Sequence, residues 1–249
     1  MPRLCSITIT KNNARDIGAC LDSLAFCDER VVVDSGSDDD TVAIARAKGA
    51  LVTFHPWEGF GPQKNFAKSL TQSDWILWLD ADEEVTPELA QEIRRAIATD
   101  AADGYEMSRM SEFCGRPMRH SGWHPDWVMR LFRRSKGQWT PGMGHDHVIL
   151  DGKKARIGGL ILHYPVRRID ESLVKMNRYS SIGAQALVDR DRKVWFVTGI
   201  LRGLGAFLRT YVLRAGFLDG PEGFLLAVAN AEGVYYRFMK AWLLAHGRK

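Results

Sequence analysis

Apolar residues fall along the first hundred positions in short blocks separated by polar turns, and the blocks switch between two periods. Leu4–Thr10 alternates and is rich in β-branched residues, which predicts a first strand. Ile17, Leu21 and Leu24, spaced four and three apart, share one face of a helix. Residues 30–33 read as a second strand, and a helix follows to about Lys48, with Gly49 as its stop. Leu51–Phe54 reads as a third strand. A loop punctuated by Gly and Pro over 57–62 then leads into a helix at 63–70, with Pro62 in its first turn. Trp75-Ile76-Leu77-Trp78-Leu79 is an unbroken apolar run, as expected of a strand buried on both faces of a parallel sheet. Leu89, Ile93 and Ile97 are in helical register behind Thr86-Pro87-Glu88, a good helix start. Strand and helix alternate four times in about 98 residues, which predicts an α/β fold with a mainly parallel, nucleotide-binding type of sheet.

Beyond Gly104 the pattern becomes irregular and rich in Trp, His, Arg and Gly to about Tyr164, as in a substrate-facing half. From Glu171 helical spacing returns through Leu173, Val174, Met176, Tyr179 and Ile182. Helices at 195–215 and 224–245 follow, split by Asp219-Gly220-Pro221. The organisation predicted is a domain at 1–165, divided into a nucleotide-binding half (1–100) and a catalytic half (101–165), with a helical extension at 166–249.

Charge changes this picture in one place. From Arg190 onward ten Lys/Arg face four Asp/Glu, a local +6, so a total of +4 leaves about −2 for residues 1–189. The basic tail is also aromatic and aliphatic, unlike a nucleic-acid tail, and suits a membrane surface or acidic lipid. Arginines snorkelling outward from helices packed on the domain are the plainer reading. No uncharged apolar stretch approaches the roughly 18–20 residues of a spanning helix, and residues 1–13 leave no room for a signal-peptide core. Cys5, Cys20, Cys27 and Cys114 form no pair or zinc spacing, which fits a reducing, cytosolic setting.

Polar clusters stand at three predicted strand ends: Thr10-Lys11-Asn12-Asn13, Asp34-Ser35-Gly36-Ser37 and Asp80-Ala81-Asp82. Open α/β sheets bind ligands outside the carboxyl ends of their strands. Asp80 and Asp82, as hard oxygen ligands, suit Mg²⁺ or Mn²⁺ bridging to phosphate; a solvated turn is the alternative. Since Thr86 already caps the next helix, neither carboxylate has an evident structural task.

With these three ends in order, the chain resembles the family 2 glycosyltransferases, which have the GT-A fold. Ile9-Thr10-Lys11-Asn12 resembles the family's opening nucleotide segment, with Asn13 where an acidic residue is usual. Val32-Val33-Asp34-Ser35-Gly36-Ser37-x-Asp39 resembles the second motif, whose first Asp reads uracil, and Leu79-Asp80-Ala81-Asp82 the metal-binding signature. Pro125-Asp126-Trp127-Val128-Met129-Arg130-Leu131 resembles the segment holding the catalytic base, with Pro125 in place of the usual Glu. Gly59 to Ala67, Trp123-His124-Pro125-Asp126 and His163-Tyr164 are most similar to lipopolysaccharide inner-core β-1,4-glucosyltransferases.

The resemblance implies a UDP-sugar donor, UDP-glucose foremost, and a lipid-anchored heptose acceptor at the cytoplasmic membrane face. Mg²⁺ or Mn²⁺ would be held by Asp82 with Asp80, and by a late His, for which His145 is the candidate beside His147 and His163. Thr10, Asn12, Asn13, Asp34, Lys64 and Asp80 would face the donor, and Asp126 would take the proton of the attacking hydroxyl. Plainer readings stand beside each of these. Asp34 can cap its own turn, and Lys64 can be a solvated lysine. Asp126 can pair with Arg130 on a helix, leaving Asp146 as base. Trp123 and Trp127 can be sugar platforms or core. Transfer of another UDP-sugar to a different acceptor, or a non-catalytic nucleotide-sugar-binding protein, are the alternative functions.

Overall fold

The apolar blocks form the strands predicted for them. In the computed structural model, which describes residues 2–140 and 147–247, β1 (Leu4–Thr10), β2 (Glu29–Asp34), β3 (Leu51–Phe54) and β4 (Trp75–Trp78) pair in parallel in the order β3-β2-β1-β4. Helices α1 (Ile17–Ser23), α2 (Thr41–Ala47) and α3 (Phe60–Ser69) connect them. Leu4, Ile7, Val31, Val33, Trp75 and Leu77 are buried, as a sheet covered on both faces requires.

The irregular stretch folds as strands as well. After β5 (Glu83–Val85) and α4 (Pro87–Thr99) come β6 (Gly104–Phe113), β7 (Arg116–Pro117), β8 (Asp126–Arg133), β9 (Gly137–Trp139), β10 (Val148–Leu150) and β11 (Lys154–Val166). Strand β8 runs antiparallel to β4 and to β6, and β11 antiparallel to β5, so the sheet is mixed beyond its parallel half. Period two was hard to see here because polar residues take inward positions: Ser108, Ser111 and Arg130 are all buried.

The described residues gather into two compact units, Met1–Arg109 with Asp126–His163, and Met110–Pro125 with Tyr164–Lys249. In the first, α4 packs Leu89, Ile93 and Ile97 into a core with Leu4, Leu77, Leu131 and Ile161. Thr86 caps α4 by accepting from the Leu89 amide at 3.3 Å, with Pro87 in the first turn. Gly159 lets β11 pass this helix: its φ is +91°, and a Cβ there would lie 2.6 Å from Leu89 Cα.

In the second unit α5 (Ile169–Asp189), α6 (Phe196–Leu208) and α7 (Gly220–Ala245) dominate. The helix predicted to run to 215 ends as α-helix at Leu208 and widens into a π turn, Arg209–Leu213, before a 3₁₀ turn at Gly216–Asp219. Gly199, Gly203, Ala206 and Thr210 form the buried stripe of this segment. Gly199 meets Met239 and Gly203 meets Tyr235 on α7 so closely that a Cβ would approach within 2.3 and 3.1 Å. Buried Asp219 ties the start of α7 to a loop, accepting from the Arg119 and His120 amides and from Ser121 Oγ. Phe196–Leu213 is long and apolar enough to cross a bilayer by length and composition, with Arg202 and Arg209 inside it.

Candidate active site

The parallel register brings the predicted strand ends to one edge: Thr10 lies opposite Asp34, and Ile7 opposite Trp78 at the end of β4. Two of the loops there are stitched together. Asn12, at φ +55°, donates its amide to Ser37 Oγ and accepts from the Asp38 amide; Asn13 donates to Thr41 Oγ1 at 2.7 Å and, through Nδ2, to buried Thr10 at 3.2 Å. Asp34 forms an Asx turn, one oxygen accepting from the Gly36 and Ser37 amides (2.8 and 2.9 Å) and the other from the Ser37 hydroxyl. The turn-capping reading is therefore realised, and it holds Asp34 rigidly at the sheet edge.

The loop after β4 carries the densest chemistry. Glu83 is fully buried; its Oε1 accepts from Arg109 Nη1 at 3.0 Å and from Arg130 Nη2, and its Oε2 from the Asp80 amide at 3.2 Å. Asp80 accepts from Arg130 at 3.1 Å, so it does have a structural partner. Arg109 reaches Asp126 through both Nε (2.8 Å) and Nη2 (2.7 Å), and the two residues are direct cross-strand neighbours. One ladder of alternating charge results: Asp126, Arg109, Glu83, Arg130, Asp80. The helical Asp126–Arg130 pair is absent because Asp126 opens strand β8, and its cross-strand partner takes its carboxylate.

The charges tune one another. Burial alone would push the Asp80 carboxyl up, but Arg130, then Lys64 and His163, outweigh it and hold it below the usual carboxylate range. Glu83 ends above that range, since burial and the Asp80 charge exceed what Arg130 and Arg109 return. Arg109 is raised despite its burial because Glu83 and Asp126 flank it. Arg130, 1% exposed, lies 3.5 Å over the Trp78 ring, and its Nε and Nη1 have no hydrogen-bond partner among the described residues. Lys64 is buried rather than solvated, with Nζ 3.8 Å over the same ring.

His163, opposite Glu83 on β11, places Nε2 3.8 Å from Asp82 Oδ2. The candidate His145 and the alternative base Asp146 lie outside the described residues, and His147 is exposed. Among the described residues no group of three or more His, Cys, Asp and Glu forms a cage for a metal. The Asp82 carboxylate and the His163 imidazole beside Asp80 nonetheless have the donor chemistry that a divalent ion takes. Trp123 packs edge-on against Phe113, and Trp127, 36% exposed, has Arg156 over its ring.

Residues 5–150 match the profile described as Glycosyl transferase family 2. The chain belongs to that family. An uncharacterized glycosyltransferase of Rickettsia prowazekii is 30% identical, over 96% of this chain and 87% of its own length. The lipopolysaccharide core biosynthesis glycosyltransferase LpsC of Rhizobium meliloti is 31% identical, over 96% of this chain and 90% of its own. A solved glucosyl-3-phosphoglycerate synthase from Mycobacterium tuberculosis, in complex with Mn²⁺, UDP-glucose and phosphoglyceric acid, is 20% identical; it covers 57% of this chain and 62% of its own, with a TM-score of 0.45. That likeness is too slight to place any residue. This family 2 glycosyltransferase thus has the GT-A fold expected of it. Its Glu83 and Arg109 escaped the sequence reading: Glu83 hides in the acidic run 80–84, and Arg109 in a strand with no motif around it.

Proposed function

We propose that this glycosyltransferase moves a hexose, glucose from UDP-glucose foremost, onto the heptose of a lipid-anchored lipopolysaccharide core, inverting the anomeric centre. The observation that carries this reading is the ladder joining Asp126 to Asp80 through two arginines and a buried glutamate. Asp126 receives the proton of the acceptor hydroxyl as that oxygen bonds to the sugar carbon. The bond from that carbon to the diphosphate oxygen breaks, and its electron pair leaves with UDP. Attack opposite the leaving group converts an α-linked donor into a β-linked product. Asp82, with Asp80 and His163, would hold Mg²⁺ or Mn²⁺, which would neutralise charge on the diphosphate. Lys64 and Arg130 add fixed positive charge near Asp80. Thr10, Asn12, Asn13 and Asp34 shape the nucleotide edge. The resemblance of the whole chain to LpsC supports the choice of acceptor.

The lipid anchor also accounts for the outer face of α6. Trp195, Leu201 and Leu204 are 73%, 64% and 57% exposed, and six Lys/Arg against one Asp fall between residues 190 and 218. A spanning helix would bury Arg202 and Arg209 in hydrocarbon, at about 2.5 kcal/mol or more each. Lying in the interface, the helix immerses its apolar face and leaves the arginines to lipid phosphates, which makes the protein peripheral at the cytoplasmic face. The test is transfer from a panel of UDP-sugars to membranes, with and without divalent metal. UDP-glucose and metal should give product; no transfer from any donor would leave the binding-protein alternative.

A further inference from the structure

We infer that the groove between α5 and α7 binds an acidic saccharide, the carboxylate- or phosphate-bearing part of the acceptor. The inference rests on the transfer reaction above for the identity of its ligand, but the groove lies wholly within the second unit. Its volume of about 370 Å³ is in the range of small-molecule sites. Phe113, Trp123 and Tyr179 wall it with aromatic rings, Asn230 adds a polar group, and Lys175 and Arg237 supply charge.

The lining holds two cations and no carboxylate. The nearby acids are engaged elsewhere: Asp170 with Arg168, Glu171 with the Arg167 amide, and Glu222 with Arg116. The Lys175 ammonium donates to the Pro165 carbonyl at 2.5 Å, which leaves its charge unneutralised. Arg237 Nε is buried with no hydrogen-bond partner among the described residues, an arrangement that is costly unless an acceptor arrives.

Two glycines build the cradle. A Cβ at Gly183 would lie 2.6 Å from Arg237 Cδ, so the bare helix face lets that arginine lie along α5. Gly233 meets nothing closer than Met176 Cγ at 3.4 Å, so α7 leaves the groove open there.

A saccharide fits better than a lipid tail for two reasons. The groove residues of α7 (Ala229, Gly233, Arg237) lie on the side of the helix away from Ala231 and Tyr235, which meet α6. The apolar face proposed for the membrane is therefore on the far side of α7. Aromatic rings beside polar and cationic groups also suit stacked sugar rings bearing an acid. Trp123 stands only three residues before Asp126 in the chain.

The experiment uses the full-length protein, UDP-glucose, and a deacylated, water-soluble core saccharide as acceptor. Arg237→Gln should raise the acceptor KM by about tenfold to a hundredfold, the loss of one charge-assisted contact, while the donor KM stays put. Gly233→Leu, which fills the groove and favours the helix, should do the same. Saturation-transfer NMR should show glucuronic acid and glucose 6-phosphate binding the wild type, glucose more weakly, and neither acid binding Arg237→Gln. Unchanged acceptor KM in both folded variants would overturn the groove while leaving the transfer reaction standing. Release of Gly233→Leu from vesicles without any change in that KM would overturn it too, in favour of a lipid tail. If the wild type transfers no sugar at all, the proposed function fails, and the NMR titration still decides whether the groove takes acids.

Discussion

Replacing Glu83 with Gln removes the charge at the centre of the ladder while nearly preserving shape. The wild-type carboxylate is fully buried and receives Arg109, Arg130 and the Asp80 amide. With Gln, Arg130, itself 1% exposed, still has the Asp80 carboxylate, and Arg109 still has that of Asp126, but both lose the Glu83 charge. Breaking a buried ion pair costs about 3–5 kcal/mol, and the Gln carbonyl returns about 1 kcal/mol as an acceptor. A net loss of about 2–4 kcal/mol follows, which at about 2–4 °C per kcal/mol lowers Tm by about 4–16 °C. Acid should enlarge the penalty. Glu83 takes up its proton at a higher pH when folded than its ordinary 4.5, so its protonated form is the stabilised one, and that stabilisation is lost as pH rises through the folded value. Gln cannot take up that proton, so the wild type gains on the variant as pH falls. Calorimetric melts at pH 7.5 and pH 5 measure both effects. A Tm within 2 °C of wild type at pH 7.5, or a penalty that shrinks at pH 5, would refute this reading of the ladder.

Other outcomes follow from single features. Gly159→Ala places a methyl 2.6 Å from the Leu89 backbone at φ +91° and should cost about 2–3 kcal/mol in urea denaturation; a neutral change would mean β11 does not pass α4 this closely. Thr86→Ala removes the α4 cap and should cost about 1 kcal/mol by the same measurement. The buried Cys5 thiol is pushed up to about 12, chiefly by burial, and should therefore stay neutral and resist iodoacetamide at pH 8 until urea exposes it; rapid native labelling of Cys5 would contradict its burial. Leu201→Glu with Leu204→Glu should reduce sedimentation with phosphatidylglycerol vesicles at least tenfold and leave UDP affinity unchanged, whereas equal sedimentation would remove α6 as the docking face.

Where local period and packing agree, the sequence was legible. Val31-Val32-Val33 and Trp75-Ile76-Leu77 could only be buried strands, and Thr86-Pro87 could only start a helix. Legibility failed where a residue's partner is remote in the chain. Arg109 and Asp126 are 17 apart, and Glu83 and Arg130 are 47 apart, so only strand pairing brings them together. Asp126 was placed by a motif, yet its strand setting was hidden because Arg130, four residues on, imitates a helical pair. Lys64 could be read as donor-facing or as solvated because no local rule foresees Trp78 beneath it. The long helix near the C-terminus was visible, but its break at Leu208 was not, since the π turn has no sequence signature among Arg209–Leu213.

Sugar transfer as proposed turns on Asp126 taking the proton of the acceptor hydroxyl. Single-turnover transfer from UDP-glucose by Asp126→Asn, with UDP affinity measured on the same sample in Mn²⁺, tests it most directly. The rate should fall by about 10²–10⁴-fold with UDP affinity unchanged. Turnover within a few-fold of wild type would contradict it and pass the role of base to Asp146.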